Sequence, residues 1–295
     1  MGQGLHTKVL SVITHELGIS FDKIKITDTD TSKIANTSAT AASSGSDLNG
    51  MAAYNAVKKI KKRLINLISN RYLVPTKHIK FKNNFIFLPD KILSFHEIVK
   101  EAYLERIQLW DSGFYKTPKI HWDRNMAKGK PFYYYSYGAA VSEVLIDTLT
   151  GEYKIRRVDI LHDVGKSLNK TIDMGQIEGG FIQGMGWLTC EELFWGPDGA
   201  LKTHAPSTYK IPLASDRPDI FNIKIASWSK NLKKTIKRSK AVGEPPFMLA
   251  ISVHEAIQMA VASVADYKII PRLNAPATPE EVLSSIYNTQ RIKQI

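Results

Sequence analysis

The local sequence around Glu244 could support acid–base chemistry. The residue stands in "SKAVGEPPF", between a glycine and two prolines, ahead of an apolar run with helical spacing. Prolines fix φ and are tolerated in the first turn of a helix, so we expect the carboxylate at the positive end of that helix. Two interpretations stay open. Glu244 either complements the helix dipole or is a general base held rigidly in a cleft.

Three further stretches could bind a ligand. The hydroxyl-rich loop "NTSATAASSGSD", residues 36–47, precedes an expected helix, where free backbone N–H groups can hold an anion; a flexible linker is the alternative. "GQIEGGFIQGMG", residues 175–186, is helical in period, and its glycines indicate close packing by another helix or by a flat ligand. Gln3, in the opening "MGQG", could offer an amide to a ligand.

Composition excludes several classes of protein. The chain has 295 residues, a net charge of +12 and one cysteine, Cys190. One cysteine permits no intramolecular disulfide and no cysteine-based iron–sulfur or zinc site. No stretch approaches the ~18 uninterrupted apolar residues of a membrane span, so no membrane partner is expected. The basic runs "KKIKKR" and "NLKKTIKRSK" lack interleaved aromatic residues, so we expect no nucleic-acid partner.

The elements that must position these residues follow from periodicity. Helices are expected over residues 5–17, 47–68, 94–106 and 172–193, after Pro246, and after Thr278 as an N-cap with Glu281 closing a capping box. Strands are expected in "DKIKITDTD" (22–30), in a hairpin over residues 131–165 that turns at Gly151, and in "FNIKIAS" (221–227). Helices and strands mix without regular alternation, which predicts an α+β fold, with an irregular α/β fold as the alternative.

Six short stretches occur together and in one order: "MGQGLHTK", "NTSATAASSGSDLNG", "GFYKTP", "DVGKSLNKTIDMGQIEGGFIQGMG", "PSTYKIP" and "KAVGEPP". With them the chain resembles the C-terminal half of the molybdopterin-binding domain of the xanthine dehydrogenase family, over nearly its whole length. The resemblance implies the second half of a xanthine dehydrogenase or aldehyde oxidase molybdopterin-binding domain, with mixed sheets and helices. It also implies that residues 1–295 are the C-terminal part of a catalytic domain.

The resemblance implies a role for each matching residue. Glu244 matches the catalytic glutamate, which acts as the general base of purine hydroxylation, hypoxanthine or xanthine to urate, at a molybdenum–molybdopterin centre. The metal is held by the pterin, with Ala42 adjacent through its backbone and with no side-chain ligand. The expected cofactor-binding residues are Gln3, Thr40, Ala41, Ala42, Ser43, Gln176 and Gly243.

The resemblance also implies what surrounds this chain. Full-length family members carry 2Fe–2S clusters, FAD and NAD at sites that are not in this sequence, act on a purine substrate, and form homodimers in the cytoplasm, with a peroxisomal location as the alternative. Met1 resembles an internal methionine, so we interpret the sequence as a fragment that is inactive alone. An aldehyde oxidase-type hydroxylase and a non-catalytic remnant are the competing interpretations.

Three features, covering four residues, depart from the family pattern. Gly45 stands where a serine is usual, which removes one hydroxyl near the cofactor. Lys166 and Lys170 flank "SLN" in "KSLNK", and His254 lies in a helix that is usually apolar there. None of these changes affects Glu244.

Overall fold

The computed structural model describes residues 2–33 and 39–293. Asn36, Thr37 and Ser38 of the hydroxyl-rich loop lie outside the described residues. The chain divides into two compact units. Unit 1 comprises Met1–Tyr135, Lys166–Asn169 and Lys230–Ala241, and unit 2 comprises Ser136–Gly165, Lys170–Ser229 and Val242–Ile295.

Unit 1 is built on three helices: α1 (Leu5–Leu17), α2 (Gly45–Tyr72) and α3 (Phe95–Leu104). Helix α1 ends at Gly18, whose φ of 63° is left-handed, because glycine accepts that conformation without a Cβ clash. All three expected helices are confirmed, and α2 is longer at both ends than its apolar periodicity indicated.

Two small antiparallel sheets of unit 1 were not predicted. Strands β1 (Lys80–Lys82), β2 (Phe85–Phe87) and β3 (Ile92–Ser94) form one of them, and β4 (His121–Asp123) and β5 (Lys128–Lys130) form the other. Strands of three residues are too short to show an alternating pattern. The first sheet and helices α2 and α3 share a core that includes Leu64, Ile68, Ile86 and Ile98.

Unit 2 contains a three-stranded sheet in the order β6 (Gly138–Ile146), β7 (Tyr153–His162), β8 (Ile220–Ile225). Strands β6 and β7 form the expected hairpin, and Gly151 in its turn has a φ of 76°. Strand β8 confirms the "FNIKIAS" prediction and runs parallel to β7.

Three helices of unit 2 share one hydrophobic core with this sheet. They are α4 (Lys170–Thr189), α5 (Ile251–Ala262) and α6 (Pro279–Lys293), and a 3₁₀ turn over Pro245–Ala250 leads into α5. Their buried residues and those of β7 form one hydrophobic core, with Phe181, Ile257 and Ile286 at its centre. Mixed helices and sheets confirm the α+β class.

Two local predictions were wrong. "DKIKITDTD" is not a strand, because a 3₁₀ turn covers Phe21–Lys23 and no strand pairs with the described residues that follow. The capping box of α6 is half formed. The Glu281 amide donates to Thr278 Oγ1 at 3.3 Å, but the Glu281 carboxylate instead accepts from the backbone and side-chain amides of Asn274, at 2.8 and 2.9 Å.

The glycines of α4 separate into two groups. A Cβ on Gly184 would lie 2.4 Å from the carbonyl oxygen of Phe247, and one on Gly180 would lie 2.9 Å from that of Gly243. Gly175 and Gly179 have nothing within 4 Å of a built Cβ. The segment that follows Glu244 therefore packs directly on the backbone of α4, so helix packing explains Gly180 and Gly184.

One segment within the described residues, Pro245–Ala265, is long and apolar enough by composition to span a membrane. A core helix of a soluble protein passes the same test. The segment bends from a 3₁₀ turn into α5, whose residues Val253, Ile257 and Val261 belong to the core of unit 2.

Replacing one glycine in each group tests this packing. Gly184→Ala should lower the free energy of unfolding by about 1–3 kcal/mol, because the added methyl group overlaps the Phe247 backbone. Gly179→Ala is the matched control in the same helix and should raise the free energy by up to ~1 kcal/mol, because alanine is the better helix former. Urea unfolding measures both. Equal effects of the two substitutions would contradict the close contact.

Candidate functional site

Two helix N-termini meet in unit 1. The Gln3 amide, just before α1, donates to Ser43 Oγ, just before α2, at 3.0 Å. Further along, Lys61 of α2 pairs with Glu16 of α1 at 3.3 Å, so the two helices run side by side in the same direction. Each N-terminus carries a partial positive charge and first-turn N–H groups without an intrahelical acceptor. Their combination favours an anionic ligand.

Each of these helices is preceded by two consecutive left-handed residues. Gln3 and Gly4 have φ values of 64° and 62°, and Ala42 and Ser43 have values of 50° and 54°. A non-glycine residue in a sparsely populated backbone region costs about 1–3 kcal/mol, and such strain clusters at ligand clamps. Ser44 closes the second turn, since its hydroxyl donates to the Ala41 carbonyl at 2.8 Å.

Thr40 packs against the start of α2. A Cβ on Gly45 would lie 3.0 Å from Thr40 Oγ1 and 3.2 Å from Leu5 Cδ2, which is tighter than ordinary van der Waals contact. The absence of a side chain at Gly45 thus lets Thr40 and α1 approach the α2 backbone closely.

A buried polar network lies beneath these N-termini. The Tyr134 phenol donates to Asp47 Oδ2 and accepts the Ala241 amide at 2.8 Å. Burial raises the pKa of Asp47 to about 6, against the opposing effects of the Tyr134 hydrogen bond and the Lys8 charge. Burial and the neighbouring Asp47 carboxylate raise the pKa of Tyr134. Asp47 belongs to the first turn of α2, yet its carboxylate is engaged by Tyr134.

The predicted site residues of unit 2 lie around α4. Glu244 is exposed and directly precedes the 3₁₀ turn, and its backbone carbonyl accepts the Phe247 amide at 2.9 Å. Among the described residues, its side chain makes no capping bond to that turn. Gly243 rests on Gly180. Gln176 lies one turn before Gly180 on the same face of α4.

The predicted site residues therefore fall into two groups. Gln3, Thr40 and Ser43 are brought together in unit 1, with Ala41 and Ala42 on the same loop. In unit 2, Gly243 and the adjoining Glu244 lie beside Gly180, one turn after Gln176 on α4. Within residues 2–33 and 39–293, no group of three or more His, Cys, Asp or Glu side chains could hold a metal ion.

The sequence reasoning missed Lys8, Asp47 and Tyr134. Lys8 could have been found, because helical spacing puts it on the same face as Leu5 and the buried Val12, where a charge needs a partner. Asp47 looked like an ordinary first-turn acid. Tyr134 lies among several aromatic residues in "FYYYSY", and no local pattern distinguishes it from the others.

Comparison with known proteins assigns the family. Residues 1–218 match the family model described as "Molybdopterin cofactor-binding domain". That match covers well over half of the chain, so the chain belongs to this family. The predicted molybdenum–molybdopterin cofactor is thereby confirmed.

The chain is similar in sequence to two xanthine dehydrogenases over nearly its whole length. The chain is 44% identical over 292 residues to "Xanthine dehydrogenase/oxidase" of Gallus gallus, covering 98% of this chain and 20% of that protein. It is also 44% identical over 293 residues to "Xanthine dehydrogenase" of Oryza sativa subsp. japonica, covering 96% and 20%. The chain thus spans about a fifth of the length of these relatives.

Solved structures share the fold. Quinoline 2-oxidoreductase from Pseudomonas putida 86 matches with a TM-score of 0.79 at 22% identity, over 97% of this chain and 35% of that one. Reconstituted CO dehydrogenase from Oligotropha carboxidovorans matches with a TM-score of 0.80 at 21% identity, over 99% and 35%. At these identities the similarity establishes the fold alone.

The residues present in unit 1 fit the polar part of such a cofactor. Two adjacent helix N-termini, a donor amide on Gln3 and small residues at 41–44 suit phosphate oxygens that approach the backbone closely. The one acid in the first turn of α2, Asp47, is buried and accepts a hydrogen bond from Tyr134.

Asp47 gives the fold a pH dependence that can be measured. Its pKa is higher in the folded protein than the unfolded value of 3.8, so the folded state favours the protonated form. The contribution of Asp47 to stability is therefore present below about pH 4 and is lost as the pH rises through about 6. The roughly two-unit shift corresponds to about 2–3 kcal/mol.

We expect Asp47→Asn to remove this dependence. The free energy of unfolding of the variant should increase relative to wild type between pH 4 and pH 7, because the amide carries no charge to desolvate. Asp90→Asn, at an exposed carboxylate of the same unit, is the control and should follow wild type across the range. A constant difference between Asp47→Asn and wild type would show that Asp47 does not titrate there.

Proposed function

We propose that this chain is the part of a molybdenum hydroxylase that carries the general base, and that the enzyme oxidises purines of the xanthine type. The observation that carries the proposal is the setting of Glu244. Its carboxylate is exposed, is not used as a helix cap in the described chain, and stands on a segment packed against the backbone of α4. The family assignment and the names of the relatives support the same reaction class.

Each group of residues has its own task in this proposal. Thr40, Ala41, Ala42 and Ser43 hold the polar tail of the cofactor, with Ala42 next to the metal through its backbone. The ring system lies near Gln3 and Gln176, and Gly243 binds the cofactor beside the base. The bound molybdenum–pterin group supplies the two-electron redox chemistry. Glu244 accepts a proton at its carboxylate. Gly243 and the two prolines keep that carboxylate in one place, which is worth more to a general base than mobility.

The proposal places the chain within a longer protein. It covers a fifth of the relatives, whose remaining length would include the first molybdenum subdomain and the iron–sulfur and flavin domains. Large apolar side chains are exposed in unit 1, among them Trp110, Phe114, Trp122 and Met126, and a further part of the protein would cover them. Residues 1–295 alone would be inactive, and the whole protein would be a cytoplasmic homodimer.

Replacing Glu244 tests the proposed base. In the complete, cofactor-loaded protein, Glu244→Gln keeps the shape of the side chain and removes its basicity, so kcat should fall by ~10²–10⁴. Molybdenum and pterin content should stay at the wild-type level. Steady-state kinetics on xanthine and metal analysis of the same preparations measure both.

Glu255→Gln is the matched control, an exposed glutamate of α5 in the same unit, and should leave kcat unchanged. Near-normal kcat in Glu244→Gln at full molybdenum occupancy would show that Glu244 is not the general base and only complements the helix dipole. Absence of molybdenum and pterin from the wild-type protein would favour the non-catalytic remnant.

The substrate class is a separate prediction. "KAVGEPP" follows the xanthine dehydrogenase form of the motif, so kcat/KM for hypoxanthine and xanthine should exceed that for aromatic aldehydes. We expect the stiff segment around Pro245 and Pro246 to favour one rigid, planar substrate. Parallel assays of two purines and a panel of aldehydes decide the point. A higher kcat/KM for an aldehyde than for both purines would favour the aldehyde oxidase-type alternative.

A further inference from the structure

A cluster of positive charges lies at the C-terminal end of α1, within unit 1. His15 and Glu16 occupy the last turn of that helix, and the Lys61 ammonium group of α2 pairs with the Glu16 carboxylate at 3.3 Å. Lys166 and Lys237 also act on His15 through their charges. Lys61 belongs to the run "KKIKKR" and Lys237 to "NLKKTIKRSK", so the fold brings together the two basic runs of the sequence.

The loop that carries Lys237 is held in place by hydrogen bonds. Asn231 is buried, its backbone amide donates to the Arg238 carbonyl at 3.0 Å, and its side chain donates to the Ser239 carbonyl at 3.1 Å. The Lys166 backbone amide donates to the same Arg238 carbonyl at 2.9 Å, which fixes Lys166 beside this loop. Lys237 and Arg238 have left-handed φ values of 47° and 63°, and such strain clusters at ligand clamps.

The acids of this region do not balance the lysines. Lys61 already engages Glu16, since its ammonium group contacts the carboxylate and donates to the backbone carbonyl of that residue. In the part of the chain that the structure describes, no carboxylate forms a salt bridge with Lys166 or Lys237. Three ammonium groups and one carboxylate leave about two unbalanced positive charges, which match a doubly charged phosphate group in magnitude.

Two ionisation shifts agree with this excess of positive charge. Burial and then the charge of Lys237 lower the pKa of His15, with Lys61 and Lys166 acting in the same direction and Glu16 opposing them. Burial also lowers the pKa of Lys237, where the charge of Lys166 adds to the effect and that of Glu16 opposes it. An anion among these groups would reverse both shifts, because it favours their charged forms.

We propose that unit 1 has a second anion-binding site, which takes a phosphate group and is formed by His15, Lys61, Lys166 and Lys237. Lysine ammonium groups bind phosphate as point charges. The site is separate from the two helix N-termini assigned to the cofactor, because His15 lies about 15 Å along α1 from the start of that helix, at 1.5 Å per residue. The inference goes beyond the proposed function and does not depend on the general base.

Isothermal titration calorimetry with inorganic phosphate tests the site in the complete protein, loaded with cofactor so that the cofactor position is filled. We expect saturable binding that weakens as salt is added. Lys166→Gln and Lys237→Gln should each raise Kd at least ~10-fold, because each removes a hydrogen bond to a charged group. Lys234→Gln, at an exposed lysine of the same loop, is the matched control and should change Kd by less than about twofold.

Three outcomes of this titration would contradict the proposal. Wild-type protein that binds no phosphate would overturn the site, and so would equal effects of Lys234→Gln and Lys237→Gln. Succinate should bind more weakly than phosphate, because its charge is divided between two carboxylates, and equal affinity would overturn the assignment to phosphate. Ribose 5-phosphate distinguishes the source of the group: tighter binding than inorganic phosphate indicates a phosphate ester, and weaker or equal binding indicates the free ion.

Proton uptake at His15 gives an independent readout. Without an anion the pKa of His15 lies below its usual value, and it rises when an anion offsets the lysine charges, so the imidazole gains a proton on binding. Sulfate is the probe, because it stays a dianion where histidine titrates. At about pH 6, calorimetry in two buffers of different ionisation enthalpy should show uptake of up to about one proton per sulfate.

His15→Gln should abolish this uptake and still bind sulfate through the three lysines. Glutamine keeps a polar side chain at this exposed helix position but has no proton to gain. Uptake that persists unchanged in His15→Gln, or sulfate binding to the wild-type protein without any uptake, would overturn the inference.

Discussion

The close contact between α4 and the segment 243–250 is the constraint on which unit 2 depends. Backbone carbonyls of Gly243 and Phe247 lie where a side chain on Gly180 or Gly184 would otherwise be. A contact of this kind tolerates little adjustment, because neither backbone can move without disturbing its own hydrogen bonds. The segment next to Glu244 is therefore held by the packed core of unit 2.

In unit 1 the governing feature is the pair of adjacent helix N-termini. Two parallel helices bring like partial charges together at their N-termini, an arrangement that is unfavourable unless an anion or a hydrogen-bonded partner lies there. The chain leaves this end lined with small residues and places strained left-handed turns before both helices. The one acid of the first turns, Asp47, is engaged by Tyr134. Stability is given up locally to keep a surface that suits an anionic ligand, as is common at binding sites.

Both arrangements agree with the family to which the chain belongs. A domain that binds a large, charged cofactor needs backbone donors at close range, and these come from small residues in rigid turns. The fold is shared with the solved structures at 21–22% identity. Two local contacts in this chain are close: Gly45 lets Thr40 and α1 approach α2, and Asn231 and Thr235 both donate to the Ser239 carbonyl in the loop before the proposed base.

Local features of the sequence predicted the local structure well. The helices, the β6–β7 hairpin with its turn at Gly151, and strand β8 follow from periodicity and turn chemistry, which depend on neighbouring residues. The strand expected at residues 22–30 failed, because a strand exists only where another strand pairs with it. The three-residue strands of unit 1 were missed, because they are too short to show alternation. The capping box failed at Glu281, since Asn274 competes for its carboxylate.

The sequence by itself determined the identity of the candidate site residues, through the resemblance of six motifs, and it left the α4 glycines open between helix packing and a ligand. Only the tertiary structure decided between these two for Gly180 and Gly184, and only it joined Lys8, Asp47, Tyr134 and Ala241 into one network. The physical reason is distance along the chain. Tyr134 lies 87 residues from Asp47 and 107 from Ala241, and a hydrogen bond between such positions leaves no periodic trace in the sequence.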